Sequence, residues 1–220
     1  MSTQRDCGFT LIEVLVALSL VALLALMSWR GLDAMLRVTQ VTRQNSVDLS
    51  GLQVGLDQWA VDLDRVVETP DVRALDWDGR VLRLVRSSPV GSAEALLVVA
   101  WTQRLVSGSQ RWVRWQSAPV NQRHELINVW QQVAIWARTD GGMESAITSA
   151  GGGSLVVVTP LSSWQLASHV KGEWAQSNTL VTNKRGTPDG LRLLLELPPG
   201  GPLQGRLTSD WFNPSSAVAR

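Results

Sequence analysis

The chain has 220 residues, of which 45% are hydrophobic and 18% charged, and 20 Lys and Arg against 19 Asp and Glu leave a net charge of +1. This length supports one domain with its own core, or a domain with an appendage, without disulfide bonds. The near-neutral charge excludes a nucleic-acid binder held by bulk positive charge. The composition also excludes a structural zinc site and an intramolecular disulfide, because Cys7 is the single cysteine and there are only two histidines. We therefore predict no cofactor and no nucleic-acid partner.

The N-terminal region contains one long apolar stretch, from Phe9 to Trp29, in which only Thr10, Glu13, Ser19 and Ser28 are not apolar. An α-helix of this length measures about 31 Å, close to the thickness of the hydrocarbon core of a bilayer. No later apolar run approaches this length. The sequence therefore predicts a single membrane-spanning helix.

Glu13 is the ionisable residue in this stretch, and a carboxylate in lipid is costly unless it lies near the interface or has a partner. At head-group level Glu13 would matter little, whereas a buried Glu13 needs a cation that its own helix does not supply. Three interpretations of the segment remain. A secretory signal requires a small-x-small cleavage site, which residues 27–30 do not provide. A plain anchor explains the length but not Glu13, and a cut before the apolar stretch is the third interpretation.

The segment Gly8-Phe9-Thr10-Leu11-Ile12-Glu13-Val14 resembles the cleavage and methylation signature of type IV pilins and type II secretion pseudopilins. The resemblance implies that a prepilin peptidase cuts after Gly8, so that residues 1–8 are a leader, and methylates the new amine of Phe9. The helix would then sit in the inner membrane until it enters a filament. There the carboxylate of Glu13 would face the N-terminal amine of the neighbouring subunit, which supplies the missing cation.

Two features depart from the family pattern. The leader carries one basic and one acidic residue, Arg5 and Asp6, whereas leaders of this family are usually more basic. Arg30, Arg37 and Arg43 follow the helix, so the positive-inside rule favours the opposite orientation to the one the family requires. The resemblance implies an N-terminus in the cytoplasm and a head in the periplasm.

A second helical pattern continues beyond the membrane segment. Between Gly31 and Glu68 there is no proline, and Thr69-Pro70 ends the run. Gly31 is the predicted hinge between a helix over 9–30 and an amphipathic helix over 31–69. The apolar stripe of that amphipathic helix comprises Leu49, Leu52, Leu56, Trp59, Leu63 and Val66, and its solvated face comprises Asp48, Gln53, Asp57, Asp62, Asp64 and Arg65.

Residues 70–212 change to short β-like runs and are predicted to form a β-rich head, followed by a loose tail over 213–220. Leu126–Ala137 is consistent with a strand or with a helix and then a strand, and the glycine-rich residues 141–153 indicate a mobile loop. Predicted strands cover Arg80–Val85, Leu96–Thr102, Arg111–Gln116, Leu155–Thr159, Trp164–Val170, Leu191–Leu197 and Leu203–Thr208.

Several head segments are similar to those of one branch of the family, the J-type minor pseudopilins. The resemblance implies an α+β, pilin-like fold, with one long N-terminal helix packed on an antiparallel β-rich head. It also implies a non-enzymatic filament subunit at the tip of the pseudopilus, with other minor pseudopilins as partners. A minor pilin of a type IV pilus is the alternative within the same class. The matching segments are Trp29-Arg30-Gly31-Leu32-Asp33, Asp62-Leu63-Asp64-Arg65, Val99-Ala100-Trp101, Arg111-Trp112-Val113-Arg114-Trp115 and Gly172-Glu173-Trp174.

No catalytic pattern emerges from the sequence. His124 is followed by Glu125, but nothing resembles a nucleophile elbow, a GxGxxG loop or a P-loop. The Asp-Gly pairs at 78–79, 140–141 and 189–190 could each donate an oxygen to Ca²⁺, but they lie in no EF-hand pattern and indicate turns. We therefore predict that the chain is not an enzyme and holds no metal.

Tryptophan is over-represented, with 11 Trp against two Phe and no Tyr. Most of these residues are expected in the core with Arg stems laid over them, and others at subunit interfaces. Trp112 and Trp115 beside Arg111 and Arg114 would also suit a membrane-anchored carbohydrate-binding module, which is the alternative from a different class.

Overall fold

The computed structural model describes residues 10–89, 95–138, 152–170, 172–176, 179–180 and 187–214. It contains one long N-terminal helix and antiparallel sheets in a globular head, as the pilin-like α+β prediction requires. The helix, α1, spans Leu11–Asp64. The chain divides into two compact units between Ser46 and Val47, and the predicted hinge at Gly31 stays a prediction.

The first unit consists of the N-terminal part of α1. Its apolar side chains are exposed, which is the expected surface of a helix that lipid or other helices cover. The hydroxyls of Ser19, Thr39 and Ser46 donate to the carbonyl four residues earlier, at 2.8–3.0 Å. These bonds satisfy polar groups without a partner outside the helix. One helix of the described chain is long and apolar enough to cross a membrane, and it is this one.

The second unit is built from two antiparallel sheets and a second helix. Sheet 1 has the strand order β1-β2-β3-β4-β5, and sheet 2 has the order β7-β6-β8-β9. The strands are β1 (Leu75–Trp77), β2 (Val81–Ser87), β3 (Leu96–Val106), β4 (Ser109–Gln116), β5 (Ser154–Pro160), β6 (Ser163–Val170), β7 (Glu173–Gln176), β8 (Gly190–Leu197) and β9 (Gly205–Phe212), and the second helix is α2 (Arg123–Arg138).

Sheet 1 is the middle layer of the head because both of its faces are buried. On one face, Trp59 of α1 and Trp164 of sheet 2 pack with Trp101 and Trp112 of sheet 1. On the other face, Val113 and Trp115 of β4 pack under α2. The alternation of β4 thus sends neighbouring tryptophans into different cores. The apolar residues of α2 lie on one side, which makes Leu126–Ala137 part of a single helix.

The helix α1 ends before the position that the sequence predicted from the proline at position 70. The helix stops at Asp64, and Val66 forms an antiparallel bridge with Arg86 of β2. The backbone after the helix therefore pairs with sheet 1 instead of continuing to Glu68. Residues 139–151, which include most of the glycine-rich loop, and residues 215–220 of the tail lie outside the described residues.

Two glycines of α1 allow the helix to approach β5 closely. A Cβ on Gly51 would lie 2.7 Å from the carbonyl oxygen of Val158, and one on Gly55 would lie 2.2 Å from Cγ1 of Val158. Their cost in helix propensity, about 1 kcal/mol each, is therefore offset by backbone packing that a side chain would prevent.

Candidate assembly site

The predicted processing site begins just outside the described residues, since Gly8 and Phe9 precede Thr10. Thr10 is the N-cap of α1, and Glu13 lies in the first turn. The backbone N and Oγ1 of Thr10 lie 3.4 and 3.3 Å from Oε2 of Glu13, which accepts both bonds. This is the geometry of a capping box, in which a Glu at the third helical position satisfies the N-cap amide. Thr10 therefore orients the carboxylate of Glu13 at the start of the helix.

Glu13 has no ion pair within the part of the chain that the structure describes. Its carboxylate and the flanking apolar residues of the helix are exposed. A cation supplied from outside the described residues can therefore reach this carboxylate. The structure leaves the pairing with a neighbouring N-terminus as a prediction.

A second carboxylate, Asp62, occupies a different environment from the one predicted. The sequence placed Asp62 on the solvated face of the helix, which is wrong, because its exposed fraction is 0%. Arg114 donates to it from Nε at 2.7 Å and from Nη2 at 2.8 Å, and Arg86 donates from Nη1. Nε1 of Trp101 lies 2.9 Å from Oδ2, and Nε2 of Gln58 lies 2.9 Å from Oδ1.

This cluster joins α1 to three adjacent strands of sheet 1. Arg86 belongs to β2, Trp101 to β3 and Arg114 to β4, and all three bond to one carboxylate. A buried charge is tolerated when ion pairs and hydrogen bonds satisfy it, and removing one partner is strongly destabilising. Asp62 therefore fixes the end of α1 on sheet 1.

A neighbouring carboxylate joins the same end of the helix to sheet 2. Nε1 of Trp211, on β9, donates to Oδ1 of Asp64 at 2.8 Å. Asp62 and Asp64 thus hold the two sheets from the last turn of α1.

Two comparisons with known proteins bear on the family of this chain. Residues 3–29 match the prokaryotic N-terminal methylation motif. The chain is 25% identical to type II secretion system protein J of Vibrio cholerae serotype O1, over 92% of this chain and 87% of that protein. These similarities support a J-type minor pseudopilin of the type II secretion system. The similarity covers the head as well as the methylation motif, and protein J is a type II secretion protein, which favours this class over a minor pilin of a type IV pilus.

The tryptophans of this chain lie mainly in the core of the head. Eight are buried, and Trp112 and Trp115, the residues considered for sugar binding, have exposed fractions of 0% and 2%. The carbohydrate-binding alternative therefore loses the two rings on which it rested. The guanidinium groups of Arg83 and Arg104 lie 4.7 and 4.6 Å from the ring centroids of two α2 tryptophans, Trp130 and Trp136. Arginine guanidinium groups thus lie over tryptophan rings, and the predicted packing of their aliphatic stems stays a prediction.

Within the described residues of the head, the remaining sequence candidates lie in turns or on the surface. His124 is exposed in the first turn of α2. Asp78 accepts the backbone N–H of Arg80 at 3.0 Å and of Val81 at 2.9 Å, which is the geometry of a turn. Asp140 lies outside the described residues. Within the described ranges no group of three or more His, Cys, Asp or Glu could hold a metal ion.

Two carboxyl groups of the head have pKa values below the usual range. Burial raises the pKa of Asp78, but the N–H groups of Val81 and Arg80 and the Arg138 guanidinium lower it by more. The hydrogen-bonded pair with Arg192 lowers the pKa of Asp210, against a smaller opposing effect of burial. The shift of Asp78 therefore describes a hydrogen-bonded turn, and that of Asp210 describes a local ion pair.

The Asp62 cluster is the feature of the head that sequence reasoning missed. The signal was present, because Asp62 follows Gly55 by seven residues and Trp59 by three, which places it on the buried side of the helix. A charged residue at such a position indicates a buried ion pair when complementary residues are available. The arginines of the matching β4 segment supply that complement.

Proposed function

We propose that this pseudopilin is processed after Gly8, is methylated on Phe9 and assembles at the tip of the type II secretion pseudopilus to support protein secretion. Prepilin peptidase, the inner membrane and the other minor pseudopilins are its partners. Its N-terminal helix crosses the inner membrane once, and its head lies in the periplasm. The observation that carries the proposal is the methylation motif over residues 3–29. The exposed apolar helix begins inside this motif and continues beyond it.

The position of Glu13 supports the assembly step. Cleavage after Gly8 creates a positive amine four residues before Glu13, close to the helix N-terminus. A carboxylate in an apolar bundle of helices requires a cation, and the amine of a neighbouring subunit is a group that processing creates. The pair specifies the register between two helices, because a shift of one turn leaves both charges unpaired.

The head supports a structural role for the protein. Eight of its tryptophans are buried, and its buried arginines are held by Asp62 or by the carbonyl group of Trp136 in α2. Such a head is a rigid body that transmits its position to the helix through Asp62 and Asp64. A filament subunit requires this property, since the orientation of its neighbours depends on the helix.

The experiment is complementation of a bacterial strain that lacks its J-type pseudopilin, with secreted enzyme in the medium as the readout. The full chain is expected to restore secretion when the other type II components match it. A variant with Glu13→Ala is expected to accumulate in the membrane and fail to restore secretion. Restoration by that variant would contradict the pairing of Glu13, and failure of the wild-type chain beside its own siblings would contradict the proposed function.

A further inference from the structure

One edge strand of the head lacks two of the usual protections against association, short length and charge, and keeps a third, a β-bulge between Val157 and Thr159. In the described part of the chain, the sheet edges are β1, β5, β7 and β9. Natural edges are kept short or carry charges, because an unpaired apolar edge recruits another strand. β1 and β7 have three and four residues, and β9 carries Arg206 and Asp210, both ion-paired to β8. β5 has seven residues, none charged, and its proline stands at the last position.

The exposed residues of β5 are Val156, Val157 and, at its first position, Ser154. Val156 and Val157 are 50% and 42% exposed. Val156 pairs with Arg114 and therefore lies on the face of sheet 1 that α1 covers, whereas Val157 pairs with Val113 on the opposite face. The edge is thus apolar on both sides.

The flank of α1 beside β5 continues this apolar surface. Gly51 and Gly55 face Val158 of β5, whereas Trp59 turns toward Trp164 of sheet 2. By the 100° rotation per residue, the column of Val47, Val54 and Val61 lies beyond the two glycines, on the side away from sheet 2. These valines are 60%, 66% and 38% exposed. We call the surface formed by these three valines together with Val156 and Val157, on both sides of the β5 edge, the valine face.

We propose that the valine face is the docking surface for the head of a sibling pseudopilin, which adds an uncharged strand to β5 and packs apolar side chains on Val54 and Val61. This inference rests on the proposed function, because it names the surface through which the assembled subunit contacts its partner. Strand addition provides affinity through backbone hydrogen bonds, and the valines provide the apolar contact.

The area of the valine face favours a partner that is already anchored nearby. The five valines expose on the order of 400 Å², about half of what each partner buries in a standard stable interface. Such a surface is weak between free molecules. It is sufficient when the N-terminal helices of both chains hold the heads together in one membrane or filament, since tethering raises the effective concentration.

The geometry of strand pairing disfavours a second copy of this chain. Antiparallel pairing of β5 with itself requires a two-fold axis perpendicular to sheet 1. That axis reverses the direction of the segment of α1 that lies on the sheet, so the corresponding helix segments of the two copies would run antiparallel. A different pilin-like chain is not bound by this symmetry.

The test places a photo-crosslinking amino acid at Val156 of the full chain, in cells that contain the other pseudopilins. The matched control carries it at Thr208, an exposed residue of the charged edge strand β9. A second pair of variants, Val156→Lys and Thr208→Lys, adds a charge to each edge. Membrane levels of each variant and the thermal midpoint of the detergent-solubilised protein check its folding.

The proposal expects a crosslink from position 156 to a sibling pseudopilin, none from position 208, and loss of that crosslink and of secretion in Val156→Lys alone. A crosslink from 156 to a second copy of the chain would overturn the proposed partner. Equal crosslinking from both positions, or normal secretion with Val156→Lys, would overturn the valine face. Failure of the unmodified chain to restore secretion is the separate result that contradicts the proposed function.

Discussion

Nε of Arg114 lies 2.7 Å from Oδ2 of Asp62, and the side chains of these residues have exposed fractions of 8% and 0%. The pair connects the last turn of α1 to the centre of sheet 1. Since Trp101 and Arg86 bond to the same carboxylate, the last turn of α1 cannot shift without breaking several contacts. The head therefore moves with the helix end as one body.

Removal of the Asp62 charge is expected to destabilise the head strongly. Asp62→Asn leaves two buried guanidinium groups without their anion, and breaking a buried pair in this way costs about 3–5 kcal/mol. The measurement is urea unfolding of the detergent-solubilised full chain, followed by tryptophan fluorescence. Asp57→Asn, which removes an exposed carboxylate from the same helix, is the control and is expected to change stability by less than about 0.5 kcal/mol. Equal effects of the two substitutions would contradict the structural role of Asp62.

The change in stability caused by substituting a glycine in α1 is expected to depend on the atoms packed against that glycine and not on helix propensity. In an exposed helix Gly→Ala stabilises by about 1 kcal/mol. Gly55→Ala instead places a Cβ 2.2 Å from Cγ1 of Val158, so we expect a loss of about 1–3 kcal/mol.

Gly31→Ala is the matched control for this prediction, because no atom lies within 4 Å of the added Cβ. It is expected to leave the thermal midpoint of the head unchanged. A midpoint for Gly55→Ala that equals or exceeds the wild-type value would show that α1 does not approach β5 as closely as the structure indicates.

The sequence predicts the strands of this head well where apolar residues alternate between turn residues. The Val106–Ser109 hairpin is an example, since Ser107 and Gly108 both adopt the positive φ values that a tight hairpin requires. It predicts α2 less well, because a short, mostly apolar run is compatible with a helix or with a strand until the element against which it packs is known. Asp62 was misplaced for a related reason. Whether a charge on a helix is buried depends on arginines more than twenty residues away, which local periodicity does not include.

The N-terminal segment is recognisable for the opposite reason. Its information is local, because the methylation motif consists of a few consecutive residues and a membrane span depends on the length of the apolar stretch that follows. Glu13 is conspicuous in that context without any knowledge of the head. The position of the valine face could not be predicted, since it requires the strand order of sheet 1.

Acid is expected to weaken the turn at Asp78. The folded-state pKa of this carboxyl lies below its unfolded value of about 3.9, so its contribution is fully present above that value and is lost as the pH falls through the folded pKa. Asp78→Asn should lower stability at neutral pH and reduce the change in stability between about pH 5 and about pH 2. Urea unfolding at both pH values measures this change. Asp57→Asn serves as the control, and an unaltered acid dependence in Asp78→Asn would contradict the assignment.

Glu13→Ala and Glu13→Gln are expected to separate assembly from folding. Both variants should reach the membrane and keep the thermal midpoint of the head, because residue 13 is exposed and belongs to the first unit. Both should fail to assemble, since neither offers a charge to a neighbouring amine. Thr10→Ala, which removes the hydroxyl contact to Glu13 but keeps the carboxylate, is the control and should assemble. Assembly is measured by co-purification with sibling subunits. Equal co-purification of Glu13→Gln and Thr10→Ala would contradict the pairing.

The most direct test of the account is the mass of the N-terminal peptide of the membrane-extracted protein, measured with prepilin peptidase present and with its gene deleted. The account predicts a chain that begins at N-methylated Phe9 when the peptidase is present and an uncleaved chain when it is absent. A chain that starts at Met1 in both strains, or a cut after the apolar stretch, would contradict it.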